Sequence, residues 1–180
     1  MTPAERERAI AYLEETREEY RQLAKSLSPA QFHHKAAPDQ WSVAEALEHI
    51  IVVESRVLAL IERALQQPPS GKKSAQEDEK LVHGVAHRVQ KFKGPDVVMP
   101  SGRWPHDRLL EEFSAARRHS IEFTRSTSAD LRQHSYPHPA FGEIDCYQWL
   151  ILIPAHCQRH LSQAREVMSS PDFPRAAAAS

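Results

Sequence analysis

Two histidines, His156 and His160, stand four residues apart in the stretch Ile153–Gln163. On a helix, positions i and i+4 lie one above the other on the same face. Two neutral imidazoles placed there can share one metal ion at about 2.0–2.1 Å, and the folded helix supplies their convergence. Trp149, Leu150, Ile153, Cys157, Leu161, Ala164 and Met168 recur at helical spacing around them. That pattern puts His160 inside an apolar arc and His156 at its edge. The competing reading is a pair of histidines hydrogen-bonded within a helix core. The chain has 11 histidines, and His83 and His87 share the spacing, but their Gly- and Lys-containing surroundings carry only a weak helical pattern. Cys157 adjoins His156, yet it falls about 100° round the helix and is not counted as a ligand.

The elements that must position these groups follow from composition first. A length of 180 residues suits one domain with a proper core. Hydrophobic and charged fractions of 41% and 26% place the chain among ordinary globular proteins. A net charge of −1 gives no basic field for nucleic acid. No apolar run approaches the roughly 20 residues of a membrane span. The five glycines are few, and Ala, Leu, Glu, Arg and Gln are abundant, which favours helix. Cys146 and Cys157 make no disulfide framework, and the polar start Met1–Glu5 is no signal peptide, so a cytoplasmic protein is expected.

Four long amphipathic stretches emerge. Thr2, Pro3 and Glu5 form a capped start, and Ile10, Leu13, Tyr20, Leu23 and Leu27 continue an apolar stripe, predicting a helix over 3–27. A short helical turn is expected near Pro29, and Trp41 reads as a packing anchor. Ser42 with Glu45 opens a second helix over 42–66, with Val43, Leu47, Ile50, Val57, Ile61 and Leu65 on its core side. His49 lies on the margin of that stripe. Glu54 falls in its middle, where a carboxylate is costly unless bonded. It either pairs with an Arg or Tyr of the first helix or supports a metal-bound histidine.

Residues 66–104 form a long irregular link holding a short helix within 77–92, and a link of that length must cross the fold or shape a site. Lys91, Lys93 and Arg103 there are either solvated charges or contacts for an anionic substrate. A third helix is predicted over 105–126, followed by a loop over 130–143 and a fourth helix over 145–168 opened by Asp145 and Gln148. Pro154 removes the bond to the Leu150 carbonyl and predicts a kink. No strand pattern stands out. The expectation is an all-α four-helix bundle over residues 1–170, with a flexible tail over 171–180.

The segment Pro38–His49, then His138–Gly142, Tyr147–Leu150 and Ala155–Gln163, resembles DinB-like proteins across roughly residues 5–170. The resemblance implies an up-down-down-up bundle, with the 66–104 link as crossover between the second and third helices. It also implies a metal triad of His49, His156 and His160. Relatives with known activities include thiol-dependent transferases and maleylpyruvate isomerases, whereas Lys91–Pro95 resembles a branch with no assigned reaction. Three neutral histidines leave a fourth position open on a divalent metal, zinc first and nickel second, as in catalytic sites. Such a metal activates water or a thiol, or polarises a substrate oxygen. Gln163 and Glu54 are the candidate partners behind the ligands. A transferase or hydrolase acting on a small molecule is therefore expected, with a low-molecular-weight thiol as one possible co-substrate. A non-catalytic, stress-associated bundle is the other reading. A homodimer is expected from the resemblance and from the bulk of Trp41, Trp104 and Trp149.

Overall fold

A computed structural model describes residues 1–71, 74–87 and 95–174. Helix α1 spans Pro3–Lys25, α2 Pro29–Phe32, α3 Val43–Leu65, α4 Asp78–Ala86, α5 His106–Ser126 and α6 Cys146–Met168. The four long helices begin and end within two residues of the predicted bounds. Their starts are fixed locally: Thr2–Glu5, Ser42–Glu45 and Asp145–Gln148 each form a reciprocal capping box, and Ser28–Gln31 adds a fourth for α2. Helix α6 continues unbroken through Pro154.

Each of α1 and α3 packs on both α5 and α6, so α1 lies diagonal to α3. Contacts along the helices give their directions. Thr16 meets Arg117 and Arg6 bonds the Thr124 carbonyl, so α1 and α5 run antiparallel. Tyr147 bonds the Glu5 carbonyl while Tyr12 bonds Gln158, so α1 and α6 run parallel. Leu109 and Phe113 pack with Val43 and Leu47, and farther along Ser120 bonds Glu54, so α3 and α5 run parallel. The result is the up-down-down-up bundle.

Parallel neighbours explain the long link. Helix α3 has 23 residues, about 35 Å at 1.5 Å per residue, and the chain must recross that length before α5 starts. On the way α4 packs against α6, burying Leu81 and Ala86. A 3-10 turn at Asp96–Val98 then lies against α3.

One expectation fails in the 130–143 region, which is not wholly a loop. Strands β1 (Ser135–His138) and β2 (Gly142–Asp145) pair antiparallel, His138 opposite Gly142. Gly142 closes the tight connection at φ +69, which a side chain would resist. The hairpin escapes a periodicity search because each arm is four residues long and one carries Pro137. It has a packing role: Trp149 Nε1–H donates to the Tyr136 carbonyl at 3.0 Å, and Ile144 is fully buried.

All three tryptophans find cover within one chain. Trp149 is buried, and Trp104 and Trp41 are half-buried. The expectation of a dimer therefore rests on the family resemblance. At the C-terminus, Phe173 stacks edge-on against His34 and Gln31 donates to the Pro174 carbonyl at 2.8 Å. The rest of the predicted tail, 175–180, lies outside the described residues. No described helix is long and apolar enough to cross a membrane.

Candidate metal centre

The triad comes from two antiparallel helices. His49 sits in the second turn of α3, whose start is held by the Ser42–Glu45 box. His156 and His160 occupy successive turns of α6, Nε2 to Nε2 3.1 Å apart. His49 Nε2 lies 3.2 Å from His156 Nε2. One nitrogen from each ring falls within a cluster no wider than 4.8 Å. His49 and His160 are each 6% exposed, whereas His156 is half-buried and forms the rim.

The outer nitrogens decide what the inner ones present. His49 Nδ1 is 2.7 Å from the Val98 carbonyl, which can only accept. Nδ1 therefore carries the proton and Nε2 the lone pair. His160 Nδ1 donates in the same way to Gln163 Oε1 at 2.8 Å. A proton on His156 Nε2 can be donated in line to one of the other two nitrogens. A divalent cation satisfies all three at once. Tetrahedral ligation at about 2.0–2.1 Å puts nitrogens about 3.3–3.4 Å apart, close to the 3.1 and 3.2 Å found. The donor set and its spacing fit such an ion.

Electrostatics favour the neutral, ligating form. Burial lowers the pKa of His49 and outweighs the opposing bond to Val98. Burial first, then His160, His49 and Arg159, hold His156 well below the usual histidine range. The half-buried Trp41 packs on two of the ligands, its ring stacked at 21° on His160 and tilted against His49, with centroids 5.9 and 4.8 Å away.

The two residues expected behind the ligands part company. Gln163 touches His160. Glu54 does not support a histidine, and its main partner is not on the first helix. It accepts from Arg117 Nε at 2.9 Å and Nη2 at 3.0 Å, and from Ser120 Oγ at 2.8 Å, all on α5. Arg117 also reaches back to α1, donating to the Leu13 carbonyl and Thr16 Oγ1. The physical reason is charge: a guanidinium on the facing stripe of a parallel helix neutralises the carboxylate where a neutral imidazole could not.

Arg103 is not simply a solvated charge. Its guanidinium bonds Glu48 at 2.6 Å and the Met99 carbonyl at 2.8 Å. Lys91 and Lys93 lie outside the described residues. His83 and His87 stack with centroids 4.0 Å apart, but no third ligand joins them among the described residues.

Glu48 itself, unremarked in the sequence, is a buried carboxylate with 4% of its side chain exposed. Burial alone would push its pKa up, but the Ser101 N–H, the Arg103 guanidinium and the Gly102 N–H outweigh that and lower it. Its position between Leu47 and His49, on the buried side of the helix, was the available signal.

Residues 12–164 match the model of a family described as the DinB superfamily. The chain belongs to the DinB superfamily. An uncharacterized protein, YuaE of Bacillus subtilis, is 25% identical over 148 residues, covering 79% of this chain and 86% of YuaE. Among solved structures, YfiT of Bacillus subtilis superposes with a TM-score of 0.63 over 93% of this chain and 88% of YfiT. At 15% identity that likeness shows the fold. YfiT is described as a probable metal-dependent hydrolase with an unusual four-helix bundle topology.

Proposed function

We propose that this DinB-superfamily chain is a divalent-metal-dependent hydrolase acting on a small molecule, with zinc the preferred ion and nickel the second choice. The observation that carries the reading is the convergence of three imidazole Nε2 atoms, two of them fixed as acceptors by their Nδ1 bonds to Val98 and Gln163. The description of YfiT as a "probable metal-dependent hydrolase" supports it. When bound, the ion supplies Lewis acidity toward a water or a substrate oxygen.

The chain's own residues do the rest. His49, His156 and His160 hold the ion as neutral ligands. Trp41 packs its ring on His160 and His49, and the half-buried His156 is the most exposed of the three ligands. Two helix-α3 carboxylates are engaged elsewhere: Glu48 by the 101–103 segment and Arg103, and Glu54 by Arg117.

The test begins with metal analysis of untagged protein, wild type and His160→Ala. Stoichiometric metal in the first and its loss in the second are expected. Equal metal in both refutes the triad, and no metal in either returns the chain to a non-catalytic bundle. The loaded protein is then given activated esters and amides, with and without a low-molecular-weight thiol. Turnover without the thiol supports the hydrolase, and turnover only with it makes the protein a thiol transferase.

A further inference from the structure

The segment Val97–Arg103, the last part of the crossover before α5, is wound around one carboxylate. Glu48 Oε1 accepts from the Ser101 N–H at 2.8 Å and from Arg103 Nη1 at 2.6 Å, and Oε2 accepts from the Gly102 N–H at 2.9 Å. Arg103 turns back on the same segment, donating to the Met99 carbonyl at 2.8 Å and the Val97 carbonyl at 3.3 Å. Gly102 adopts φ +71, a conformation other side chains resist, which lets consecutive N–H groups face the carboxylate. Between Val97 and Met99, the carbonyl of Val98 points at His49 Nδ1 from 2.7 Å.

Glu48 and His49 are thus adjacent in sequence and linked a second time through space. A helix turns 100° per residue, so the two side chains leave α3 in different directions. His49 goes toward α6 and its two histidines, and Glu48 toward the segment that supplies the bond to His49. Within the segment, the Val98 and Met99 N–H groups bond back to the Pro95 and Asp96 carbonyls, both at 3.0 Å, and the bonds to Glu48 tie the segment to α3. The segment's only regular element is the three-residue turn Asp96–Val98, which has no side-chain cap.

We propose that Glu48 is a positioning residue for the metal centre: by clamping residues 101–103 it fixes the Val98 carbonyl, and through it the Nδ1–H tautomer and ring orientation of His49. The inference rests on the metal reading above. Bonds behind metal-ligating histidines set which nitrogen faces the ion, and losing one typically weakens binding about 10- to 100-fold. Removing Glu48 frees two backbone N–H groups and a guanidinium and lets the carbonyl drift. His160 keeps its own bond to Gln163 and should not respond.

The experiment measures zinc affinity by chelator competition and ring tautomers by 15N-edited NMR, on wild type, His160→Ala, Glu48→Ala and Arg103→Ala. If His160→Ala binds zinc as wild type does, the metal reading itself has failed. If it does not, Glu48→Ala decides the present inference. Zinc affinity should fall about 10- to 100-fold. In the metal-free protein His49 should change from one Nδ1–H tautomer to a mixture, while His160 stays Nδ1–H. A merely structural role would disturb both rings or neither. Zinc affinity within twofold of wild type, or an unchanged His49 tautomer, overturns the inference. Should Glu48→Ala fail to fold, Arg103→Ala carries the test. It removes the half-exposed end of the clamp and should shift the same two readouts in the same direction, by a smaller factor. No shift in either also overturns the inference.

Discussion

Replacing Glu54 by Ala separates two roles that the sequence left open. The Glu54 side chain is 2% exposed and that of Arg117 0%. Together they join three helices: Glu54 on α3, Arg117 and Ser120 on α5, and Leu13 and Thr16 on α1. Removing the carboxylate leaves Arg117 with its two Nη1 bonds to α1, but Nε and Nη2 lose their acceptor and the positive charge loses its partner. An uncompensated buried charge of this kind costs about 3–5 kcal/mol. For a protein of this length each kcal/mol moves Tm by about 2–4 °C, so a fall of roughly 6–20 °C is expected.

The assay is urea and thermal unfolding of metal-free protein by circular dichroism, with chelator present so that bound ion does not add to stability. The double variant Glu54→Leu with Arg117→Met removes both charges and refills the volume. It should be no less stable than wild type by more than about 1 kcal/mol, because well-packed apolar groups often replace a buried ion pair without loss. Zinc affinity of Glu54→Ala should stay within a few-fold of wild type, since Glu54 touches no histidine. A cost under about 1 kcal/mol, or a double variant as unstable as the single one, refutes the reasoning from buried charge. Lost metal in a well-folded Glu54→Ala returns Glu54 to the role of supporting a histidine.

His160→Ala should lose bound metal while keeping its helicity, and His87→Ala should keep both, as native mass spectrometry of untagged protein will show. Metal should leave as pH falls, because the three ligands bind only when neutral; a chelator-free pH titration read by mass spectrometry checks it. Metal-free protein should also lose stability in acid. Burial is the leading cause that lowers the pKa of His33, His49, His138 and His156. Below about 6.5 the unfolded chain therefore takes up protons that the native one does not, and stability falls from there until the folded pKa values are passed. A urea midpoint no lower at pH 5 than at pH 7.5 would contradict this. Arg132 bonds Glu5, Asp78 and Asp145 and lies 4.1 Å over the Tyr147 ring. Arg132→Ala should cost about 1.5–3 kcal/mol, well beyond the cost of the exposed Arg108→Ala, both read from urea midpoints.

How much of this was legible in the sequence depended on what each residue answers to. Helix bounds were legible because capping is local: Thr2–Glu5, Ser42–Glu45 and Asp145–Gln148 each close within three residues. His156 and His160 were legible because four residues is one helical turn. His49 was not legible in that way. Its stripe position said only that it sat on a margin, and the family motif was needed to bring it to α6. Glu54 stood out as a charge among aliphatics, but its partner did not. Arg117 follows Phe113 by four residues and precedes Ser120 by three, so it occupies the buried face of α5 where a matching charge was to be sought. Two charges on facing stripes of different helices are evidence for each other, and pairing them also implies that those helices are neighbours. The Val98 carbonyl lies beyond such reasoning, because every residue has a carbonyl and only the folded crossover selects one. What the sequence does hold is the means of selection: Glu48 beside the ligand, and Ser101-Gly102-Arg103 some fifty residues later, offering a backbone that can turn two N–H groups and a guanidinium onto one carboxylate. The ligand and the residue that steadies it are thus written side by side, and the long crossover is what connects them.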